Sequence, residues 1–534
     1  MKAPQNELVL SYAPNSIEKI ALLKAIEEAK AVEKDIPMYI GNEQVRTEEK
    51  RRLAMPHQHA HTLGYYHVGD EYDVSQAIRA ALNAKEIWSK FSREERGRIF
   101  LKAADLAAGP YRMKLNAATM LGQSKNAYQA EIDSACELID FFRFNVHFME
   151  QMEHIQPESS AGVNNHLEYR PLEGFIFAIT PFNFTAIAAN LPTAPAMLGN
   201  VVVWKPAETQ IYAAQVIMEL LIEAGLPAGV INLIYTDGPV AGNVVFNHPD
   251  FAGLHYTGST QVFKNLWKTI ANNIDIYKNF PKIVGETGGK DFVLAHPSAD
   301  AKEVATALIR GAFEYQGQKC SAASRAYLPA SLWENIKDFM LQDLANIKVG
   351  TVEDFSNFVN AVIDEKAFDR IVGYIEHAKK DALITLVAGG TYDKSEGYFI
   401  APTIFQSIDP LSKLMTEEIF GPVLTVYVYQ DEAFEDVLQM VNSTSPYALT
   451  GAVFSKERTA LERAKDALQY AAGNFYINDK PTGAVVGQQP FGGGRMSGTN
   501  DKSGSILNLL RWVSPRTVKE TFVSPKDYRY PFLG

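Results

Sequence analysis

The strongest constraint on the fold is an alternation of short apolar runs with helical segments after residue 173. The runs include FIFAI, VVVW, VINLIY and KIVGE, and the helical segment QIYAAQVIMELLIEAG ends at Gly-Leu-Pro. Apolar strands that alternate with helices are typical of parallel sheets covered on both faces. The pattern therefore predicts an α/β fold.

A second alternating region follows Gly289, with the apolar runs DFVLAH, SRAYLP, VLTVYVY, TGAVF and FYIN. Helical spacing recurs there near residues 302–315, 365–380, 432–443 and 457–472. At about 150 residues per domain, a chain of 534 residues has room for two to four structural units. We therefore expect a second α/β domain, and an earlier helical region with Ser75 as an N-cap.

One segment without charged residues, Gly174–Trp204, could be mistaken for a membrane span. Its prolines, Pro181, Pro192 and Pro195, are expected to break a helix, and its three asparagines would carry amide groups into lipid. We therefore predict strand, loop, helix and strand here, and no membrane partner.

Composition narrows the range of partners and compartments. Asp and Glu exceed Lys and Arg by 62 to 51, a net charge of −11, which gives no general attraction to nucleic acid. The only cysteines are Cys136 and Cys320, as expected for a reducing compartment. Since the start MKAPQNELVLSYAPN resembles neither a secretory nor a mitochondrial leader, we predict a cytoplasmic protein.

Several familiar motifs are absent from the sequence. No G-x-G-x-x-G follows a strand, and there is no P-loop, H-E-x-x-H or C-x-x-C. His57, His59 and His61 would place three rings on one face of a strand, with His67 nearby, but no carboxylate or cysteine completes a ligand set. A polar edge or a hydrogen-bonded turn is the commoner use, so we predict no metal site.

Cys320 is the strongest candidate for covalent chemistry. It follows Lys319 in the polar stretch GQKCSAASR after a predicted helix, where a neighbouring cation would favour the thiolate. Glu286 in VGETGGKDF and Asn183 in TPFNFT are its candidate partners. Cys136 has the setting of a buried core cysteine.

Six motifs, WKPAE, YTGST, GETGGK, GQKCS, EEIFGP and PFGG, occur in this order, and with them the chain resembles the aldehyde dehydrogenase superfamily. ELIDFFRFN, TPFNFTAIAANLPTAPAMLGN and LRWVSPRTVKE are most similar to its 1-pyrroline-5-carboxylate dehydrogenase branch. The resemblance implies a Rossmann-like parallel-sheet NAD domain, an α/β catalytic domain and a β-arm for homodimers or larger homo-oligomers. The implied division is a 1–60 extension, an NAD-binding domain of 61–153 and 172–288, a 289–480 catalytic domain, and an arm and tail of 154–171 and 499–534.

The resemblance also implies catalytic roles. Cys320 matches the nucleophile that forms and later releases a thioester, and Asn183, with the Cys320 backbone N–H, matches the donors to the negative oxygen. Glu286 matches the base that activates water. A base glutamate disfavours relatives that transfer the acyl group to coenzyme A, so the expected product is the free acid.

For the cofactor, the resemblance implies NAD, held by Thr180, Lys205, Glu208, Gly258, Ser259, Glu418 and Phe420. The pyrophosphate would face the helix that begins near Ser259. The Glu208 carboxylate would repel a 2′-phosphate, which favours NAD over NADP. The chain departs from the superfamily pattern at Phe263, where a glycine often stands.

For the substrate, the resemblance implies a group with an ammonium and a carboxylate on one carbon. Glu137 would bind the ammonium, although a solvated helix face is the alternative for this residue. The other candidates are Ser321, Gly483 and Ala484 for the carboxylate, and Phe184 and Phe491, which could equally be core residues, for the aliphatic chain. The branch often has a serine where this chain has Ala484.

The expected function is NAD-dependent oxidation of L-glutamate γ-semialdehyde to L-glutamate in proline degradation. Three alternatives stay open: a dehydrogenase of another semialdehyde, a catalytically silent relative, and a cysteine hydrolase. The hydrolase would need a histidine partner for Cys320, and none lies near it in sequence.

Overall fold

The computed structural model describes residues 3–534. Its helices follow the predicted periodicity, with bounds that differ by a few residues. They are α1 (Ile17–Lys30), α2 (Glu71–Trp88), α3 (Arg93–Ala108), α4 (Arg112–Gln123), α5 (Ala127–Ala130), α6 (Glu137–Met152), α7 (Thr185–Met197), α8 (Ile211–Ala224), α9 (Gly238–Val245), α10 (Thr260–Asn272), α11 (Ala301–Phe313), α12 (Ala330–Asn346), α13 (Glu365–Ala378), α14 (Lys413–Thr416), α15 (Phe434–Ser443), α16 (Arg458–Ala467) and α17 (Ile506–Leu509).

The strands coincide with the apolar runs of the sequence and with a few shorter segments. They are β1 (Lys34–Ile36), β2 (Met38–Ile40), β3 (Glu43–Val45), β4 (Lys50–Met55), β5 (Gln58–His67), β6 (Val163–Pro171), β7 (Phe175–Thr180), β8 (Val202–Pro206), β9 (Ile231–Leu233), β10 (Phe251–Thr257), β11 (Lys282–Glu286), β12 (Asp291–Ala295), β13 (Ala323–Pro329), β14 (Ile384–Ala388), β15 (Tyr392–Asp393), β16 (Phe399–Ile400), β17 (Thr403–Ser407), β18 (Val423–Tyr429), β19 (Tyr447–Ala448), β20 (Thr450–Phe454), β21 (Asn474–Ile477), β22 (Gly494–Arg495) and β23 (Val513–Thr521).

Two seven-stranded sheets form the centre of the fold and confirm the predicted α/β class. The first has the order β11-β10-β7-β8-β9-β2-β3, and β7 to β11 run parallel. The second has the order β14-β17-β18-β13-β12-β20-β21, and only β14 is antiparallel to its neighbour. Because β2 and β3 join the first sheet, part of the predicted 1–60 extension belongs to it. The carboxyl ends of β7, β8, β10 and β11 meet at one edge, where α/β proteins place ligands.

The uncharged segment forms β7, α7 and β8, as predicted, but its prolines do not break the helix. Pro192 and Pro195 lie inside α7, so the expectation of a break at these positions is wrong. Proline removes an N–H, which leaves the carbonyl four residues earlier without its helical donor. For Pro195 that carbonyl belongs to Leu191, and the buried ring Nδ1 of His255 bonds it at 2.8 Å.

Helix α2 begins earlier than predicted. Its N-cap is Asp70, whose side chain accepts from the backbone N–H groups of Tyr72 and Asp73. Ser75 lies inside the helix, and its hydroxyl donates to the Glu71 carbonyl, so the N-cap prediction is wrong. Asp70 and Asp73 form a reciprocal capping box, so the helix is capped five residues before Ser75. Within residues 3–534, no helix is both long and apolar enough to cross a membrane.

The predicted arm and tail meet in a separate two-stranded sheet. Strands β6 and β23 pair antiparallel over nine positions, from Val163 opposite Thr521 to Pro171 opposite Val513. Beyond β23, Phe522 and Val523 are exposed. An oligomerisation role for this ribbon stays a prediction.

Candidate active site

Cys320 lies in a sharply bent loop between α11 and β13. Tyr315 and Gln316, just before it, have positive φ of 49° and 55°, an uncommon backbone region for residues with a side chain. Buried hydrogen bonds hold the bend, because the Tyr315 hydroxyl donates to the Gln123 carbonyl and the Gln316 amide to the Ala361 carbonyl. The thiol is therefore fixed by the protein core rather than carried on a mobile loop.

Glu286 is the group that faces this thiol. It is the last residue of β11, and its Oε1 lies 3.9 Å from the Cys320 Sγ. Burial raises the pKa of the Glu286 carboxyl to about 7, while Lys502 and the thiol act to lower it. A carboxyl with a pKa near neutrality can accept and release protons in one catalytic cycle.

The expected thiolate-favouring environment of Cys320 is not present. Burial raises the pKa of the Cys320 thiol well above its ordinary value, and the Glu286 charge adds to the rise. The neighbouring Lys319 directs its Nζ to Asp133 and Glu314, at 3.6 and 3.5 Å. Because two carboxylates neutralise this cation, the prediction that it favours the thiolate is wrong. This shift favours the protonated thiol, and Glu286 is positioned to accept its proton.

Asn183 follows β7 and is linked directly to the loop that carries the thiol. Its Nδ2 donates to the Gln318 carbonyl at 3.0 Å, two residues before Cys320, and its side chain is buried. An amide held in this way offers a second N–H without an exchangeable acidic proton. It can therefore act as a preorganised donor to an oxygen near the thiol.

A cavity of about 750 Å³ opens beside the thiol. It brings together most of the predicted catalytic and substrate residues, namely Cys320, Glu286, Glu137, Phe184, Ser321, Gly483, Ala484 and Phe491. The predicted substrate residues thus share one cavity with Cys320 and Glu286, whereas Asn183 and the predicted cofactor residues lie outside its lining.

Glu137 faces the cavity at the first turn of α6. The six residues before it, Glu131–Cys136, form a π-helical turn, a local widening that is frequent at functional sites. Burial and the Asp133 carboxylate raise the pKa of the Glu137 carboxyl well above its ordinary value. The Glu137 side chain lines the cavity and is only partly exposed, which disfavours the solvated-face alternative.

The loop after Lys480 provides donors on another side of the cavity. Gly483 has a φ of +92°, which a residue with a side chain rarely adopts. The Ser321 and Thr482 hydroxyls share a hydrogen bond of 2.7 Å, and Lys480 Nζ donates to the Thr482 carbonyl at 2.9 Å. Ser321 is therefore tied to the loop that presents the Gly483 and Ala484 backbone N–H groups.

Sequence reasoning missed a buried lysine near the cavity. Lys125 Nζ lies 2.6 Å from Asp133 Oδ2 and stands over the rings of Phe184 and Tyr315, at 4.2 and 4.4 Å. Burial lowers its pKa to about 8. The sequence did contain a signal for this residue. Lys125 is the only basic residue between Lys114 and Arg143, and the four acidic residues of that stretch indicate a lysine paired with carboxylates.

Part of the predicted cofactor group lies at the carboxyl ends of β8 and β10. Lys205 is the penultimate residue of β8, and burial lowers its pKa. Ser259 is the N-cap of α10 but makes no side-chain cap, so the first backbone N–H groups of that helix are available to an anion. A Cβ at Gly258 would lie 2.7 Å from the Tyr256 hydroxyl oxygen, so a side chain at this position would displace the tyrosine. Glu208 is exposed, and its Oε1 lies 3.6 Å from Arg51 Nη1.

Phe263, the residue that departs from the superfamily pattern, packs between α10 and the first sheet. Its ring stacks on Tyr256 at a centroid distance of 5.3 Å and covers Gly285, where an added Cβ would lie 2.1 Å from the ring. Helix α10 therefore continues smoothly through this position.

The remaining predicted cofactor residues lie near the Cys320 loop or in the core. The Glu418 Oε1 accepts from the Gly289 N–H at 2.9 Å, and burial raises the pKa of this carboxyl. Phe420 has a φ of +54° and packs on Phe182, with ring centroids 5.9 Å apart.

Thr180 lies in the core. It is buried, and its hydroxyl accepts from the Trp204 indole N–H at 2.9 Å. A basic side chain, open helical N–H groups and acidic side chains are donors and acceptors that fit a dinucleotide.

The early histidines make separate contacts. His57 lies beside the Ser124 hydroxyl, His59 beside the Lys394 carbonyl, and His67 beside Asp35. Among residues 3–534, no three His, Cys, Asp or Glu side chains are grouped as metal ligands would be.

Comparisons with known proteins found related sequences and solved structures that span almost the whole chain. The aldehyde dehydrogenase family model matches residues 44–518. Relatives named mitochondrial delta-1-pyrroline-5-carboxylate dehydrogenase are 48% identical in Danio rerio and 49% in Bos taurus; both matches span 99% of this chain, and 96% and 94% of the relatives. The solved Mycobacterium tuberculosis delta-pyrroline-5-carboxylate dehydrogenase bound with NAD has a TM-score of 0.97 and 51% identity, and covers 100% of this chain and 99% of its own.

The same relatives overturn the predicted location. The names of the Danio rerio and Bos taurus proteins place them in mitochondria, so the cytoplasmic prediction is contradicted. A low cysteine count indicates a reducing compartment but does not single out the cytoplasm.

Proposed function

The chain belongs to the aldehyde dehydrogenase family, and on that premise we propose that it oxidises L-glutamate γ-semialdehyde to L-glutamate with NAD. This semialdehyde is the open form of 1-pyrroline-5-carboxylate. One observation carries the proposal: a single cavity holds both the Cys320 and Glu286 pair and the carboxyl of Glu137. The cavity thus combines the groups for aldehyde oxidation with an acidic partner for an α-ammonium group.

The proposed reaction begins when Glu286 takes the Cys320 proton and Sγ bonds the aldehyde carbon. Asn183 and the Cys320 backbone N–H stabilise the negative oxygen of the adduct. Bound NAD supplies a hydride acceptor, which leaves the carbon as a thioester on Sγ. Glu286 releases the thiol proton to solvent and then removes a proton from water. The water oxygen bonds the carbonyl carbon, the C–S bond breaks, and the proton held by Glu286 returns to Sγ. Aldehyde, water and NAD⁺ become acid, NADH and a proton.

Recognition of the substrate head group depends on two sides of the cavity. Glu137 pairs with the α-ammonium, while Ser321 and the Gly483 and Ala484 N–H groups bind the α-carboxylate. Phe184 and Phe491 enclose the aliphatic chain. Because Ala484 has no hydroxyl, its contribution is limited to the backbone donor.

For the cofactor, we propose that Lys205, Glu208 and the N-terminus of α10 bind the adenosine and pyrophosphate of NAD, while Glu418 and Phe420 contact its nicotinamide half. Thr180 supports this group from the core. Glu208 favours NAD over NADP, because its carboxylate would repel a 2′-phosphate. Arg51 does not reverse this preference, since Asp237 Oδ1 lies 2.6 Å from the Arg51 Nη1.

We further propose that 61–153 and 172–288 bind NAD, that 289–480 supplies the nucleophile, and that the β6 and β23 ribbon joins copies into a homodimer or a larger homo-oligomer. The exposed Phe522 and Val523 beside the ribbon support this role, because large apolar side chains are costly to leave in water.

Glu137→Gln tests the substrate assignment. We expect kcat/KM for 1-pyrroline-5-carboxylate to fall about 30- to 100-fold, the effect of losing a charge-assisted hydrogen bond in a desolvated site. Propanal has no ammonium group, so its kcat/KM should stay within about twofold. Steady-state NADH formation measures both substrates.

The exposed Glu86 on α2 provides a matched control, and Glu86→Gln should behave as wild type with either substrate. Equal losses with both substrates in Glu137→Gln would contradict the proposal, because they would show that Glu137 only maintains the cavity.

A further inference from the structure

Residues 3–12, here called the N-terminal strap, form part of the wall of the substrate cavity. Asn6, Glu7 and Val9 line the same cavity as Cys320 and Glu137. The sequence predicted only an extension at this position. The contacts of the strap show which parts of the cavity it can influence.

Glu7 anchors the strap through two arginines. Its Oε1 lies 2.7 Å from Arg112 Nη1, and its Oε2 lies 2.6 Å from Arg143 Nη1. Arg112 also donates to the Leu8 carbonyl at 2.6 Å. Because Arg112 is buried, these bonds hold the strap more firmly than surface ion pairs would.

Glu131 holds the next part of the strap. This buried carboxylate accepts from the Leu10 backbone N–H at 2.9 Å and from the Tyr12 hydroxyl at 2.7 Å. Glu131 is the first residue of the π-helical turn that precedes Glu137. The strap is therefore attached to the segment that orients the proposed ammonium partner.

Asn6 joins the two sides of the cavity that receive the substrate head group. Its Nδ2 donates to Asp140 Oδ2 and to the Val486 carbonyl, both at 2.8 Å, and its Oδ1 accepts from Gln488 Nε2 at 2.8 Å. Asp140 lies one turn after Glu137 on α6, and Val486 lies two residues after Ala484. The Asn6 amide thus links α6, which carries Glu137, to the loop that carries Gly483 and Ala484.

The helix and the loop also approach each other closely. A Cβ at Gly487 would lie 2.2 Å from the ring of Phe144 on α6, so any added side chain would displace the loop or the ring. Small displacements of this contact would change the separation between Glu137 and the Gly483 and Ala484 N–H groups.

We propose that Asn6 is a positioning residue for the substrate head group. It fixes the loop 482–489 against α6, so that Glu137 and the Gly483 and Ala484 donors fit an α-ammonium and an α-carboxylate on one carbon. This inference rests on the proposed function. Asn6 touches neither the thiol nor the cofactor group, so its effect is on substrate affinity rather than on the chemical step.

The test measures kcat and KM for 1-pyrroline-5-carboxylate and for propanal in Asn6→Ala. We expect KM for 1-pyrroline-5-carboxylate to rise at least about tenfold, with kcat and the KM for propanal within about twofold. Asn346→Ala is the matched control, because the exposed Asn346 bonds only the Gln342 carbonyl of its own helix. A KM that is unchanged, or that rises equally for both substrates, would overturn the proposal.

Gln488→Ala keeps the test decisive if Asn6→Ala fails to fold. It removes the donor to Asn6 Oδ1 together with a side chain that lines the cavity. A smaller rise in KM for 1-pyrroline-5-carboxylate is expected, with the KM for propanal unchanged, and no rise, or an equal rise for both substrates, overturns the proposal. Failure of the proposed function is recognised separately, because wild type would then show no preference for 1-pyrroline-5-carboxylate over propanal. That result would remove the role of Asn6 as well.

Discussion

Cys320→Ser is expected to lower kcat for 1-pyrroline-5-carboxylate by at least about 10⁴-fold. A serine hydroxyl is far less acidic than a thiol, so Glu286, with a pKa raised to about 7, cannot take its proton to a useful extent. An alkoxide is also a poorer leaving group than a thiolate when water attacks the acyl intermediate. NADH formation measures the loss, and NAD titration shows whether the cofactor still binds.

Cys136→Ser is the matched control for this prediction. Cys136 lines the same cavity, and burial raises its pKa, but its Sγ lies 3.5 Å from Arg112 and from Glu131 rather than near Glu286. We expect this variant to keep activity within about threefold of wild type. Substantial turnover in Cys320→Ser, or a comparable loss in Cys136→Ser, would contradict the assignment of the nucleophile.

Glu286→Gln is expected to lower kcat by about 10²- to 10⁴-fold and to change its pH dependence. Burial raises the pKa of Glu286 to about 7, so the carboxyl is protonated and inactive as a base below that pH and ionised above it. The wild-type kcat should therefore rise as pH increases through about 7. A glutamine does not titrate, so its residual rate should lack this rise.

The pH profiles of wild type, Glu286→Gln and Glu86→Gln test this prediction together. The control should retain the wild-type rise. If Glu286→Gln kept the same ascending limb, another group would be the base, and the role assigned to Glu286 would be wrong.

The sequence predicted those features that depend on local pattern. Apolar runs of strand length and helical spacing located most elements of both sheets, because central strands such as β12 and β20 are buried on both faces and form continuous apolar runs in the sequence. The motif around Glu286 and that around Cys320 were also recognisable, and the structure places the two side chains 3.9 Å apart.

Features that depend on partners distant in sequence could not be predicted. Pro195 is accommodated in α7 because His255 bonds the carbonyl of Leu191. His255 lies far from Pro195 in the sequence, so the local pattern could not predict this contact. Lys319 seemed suited to activate the adjacent thiol, but Asp133, far earlier in the chain, lies beside its charge. The prediction of a cytoplasmic location was wrong for a different reason. A low cysteine content indicates a reducing environment, but it does not identify a particular compartment.

The most direct test of the central claim is NADH formation by the wild-type enzyme with 1-pyrroline-5-carboxylate, succinate semialdehyde and propanal at matched concentrations. Succinate semialdehyde has a carboxylate but no α-ammonium, so it separates the contribution of Glu137 from that of the carboxylate site. We predict a clear preference for 1-pyrroline-5-carboxylate, with L-glutamate as the product. Equal or greater turnover of succinate semialdehyde or propanal would contradict the proposed substrate.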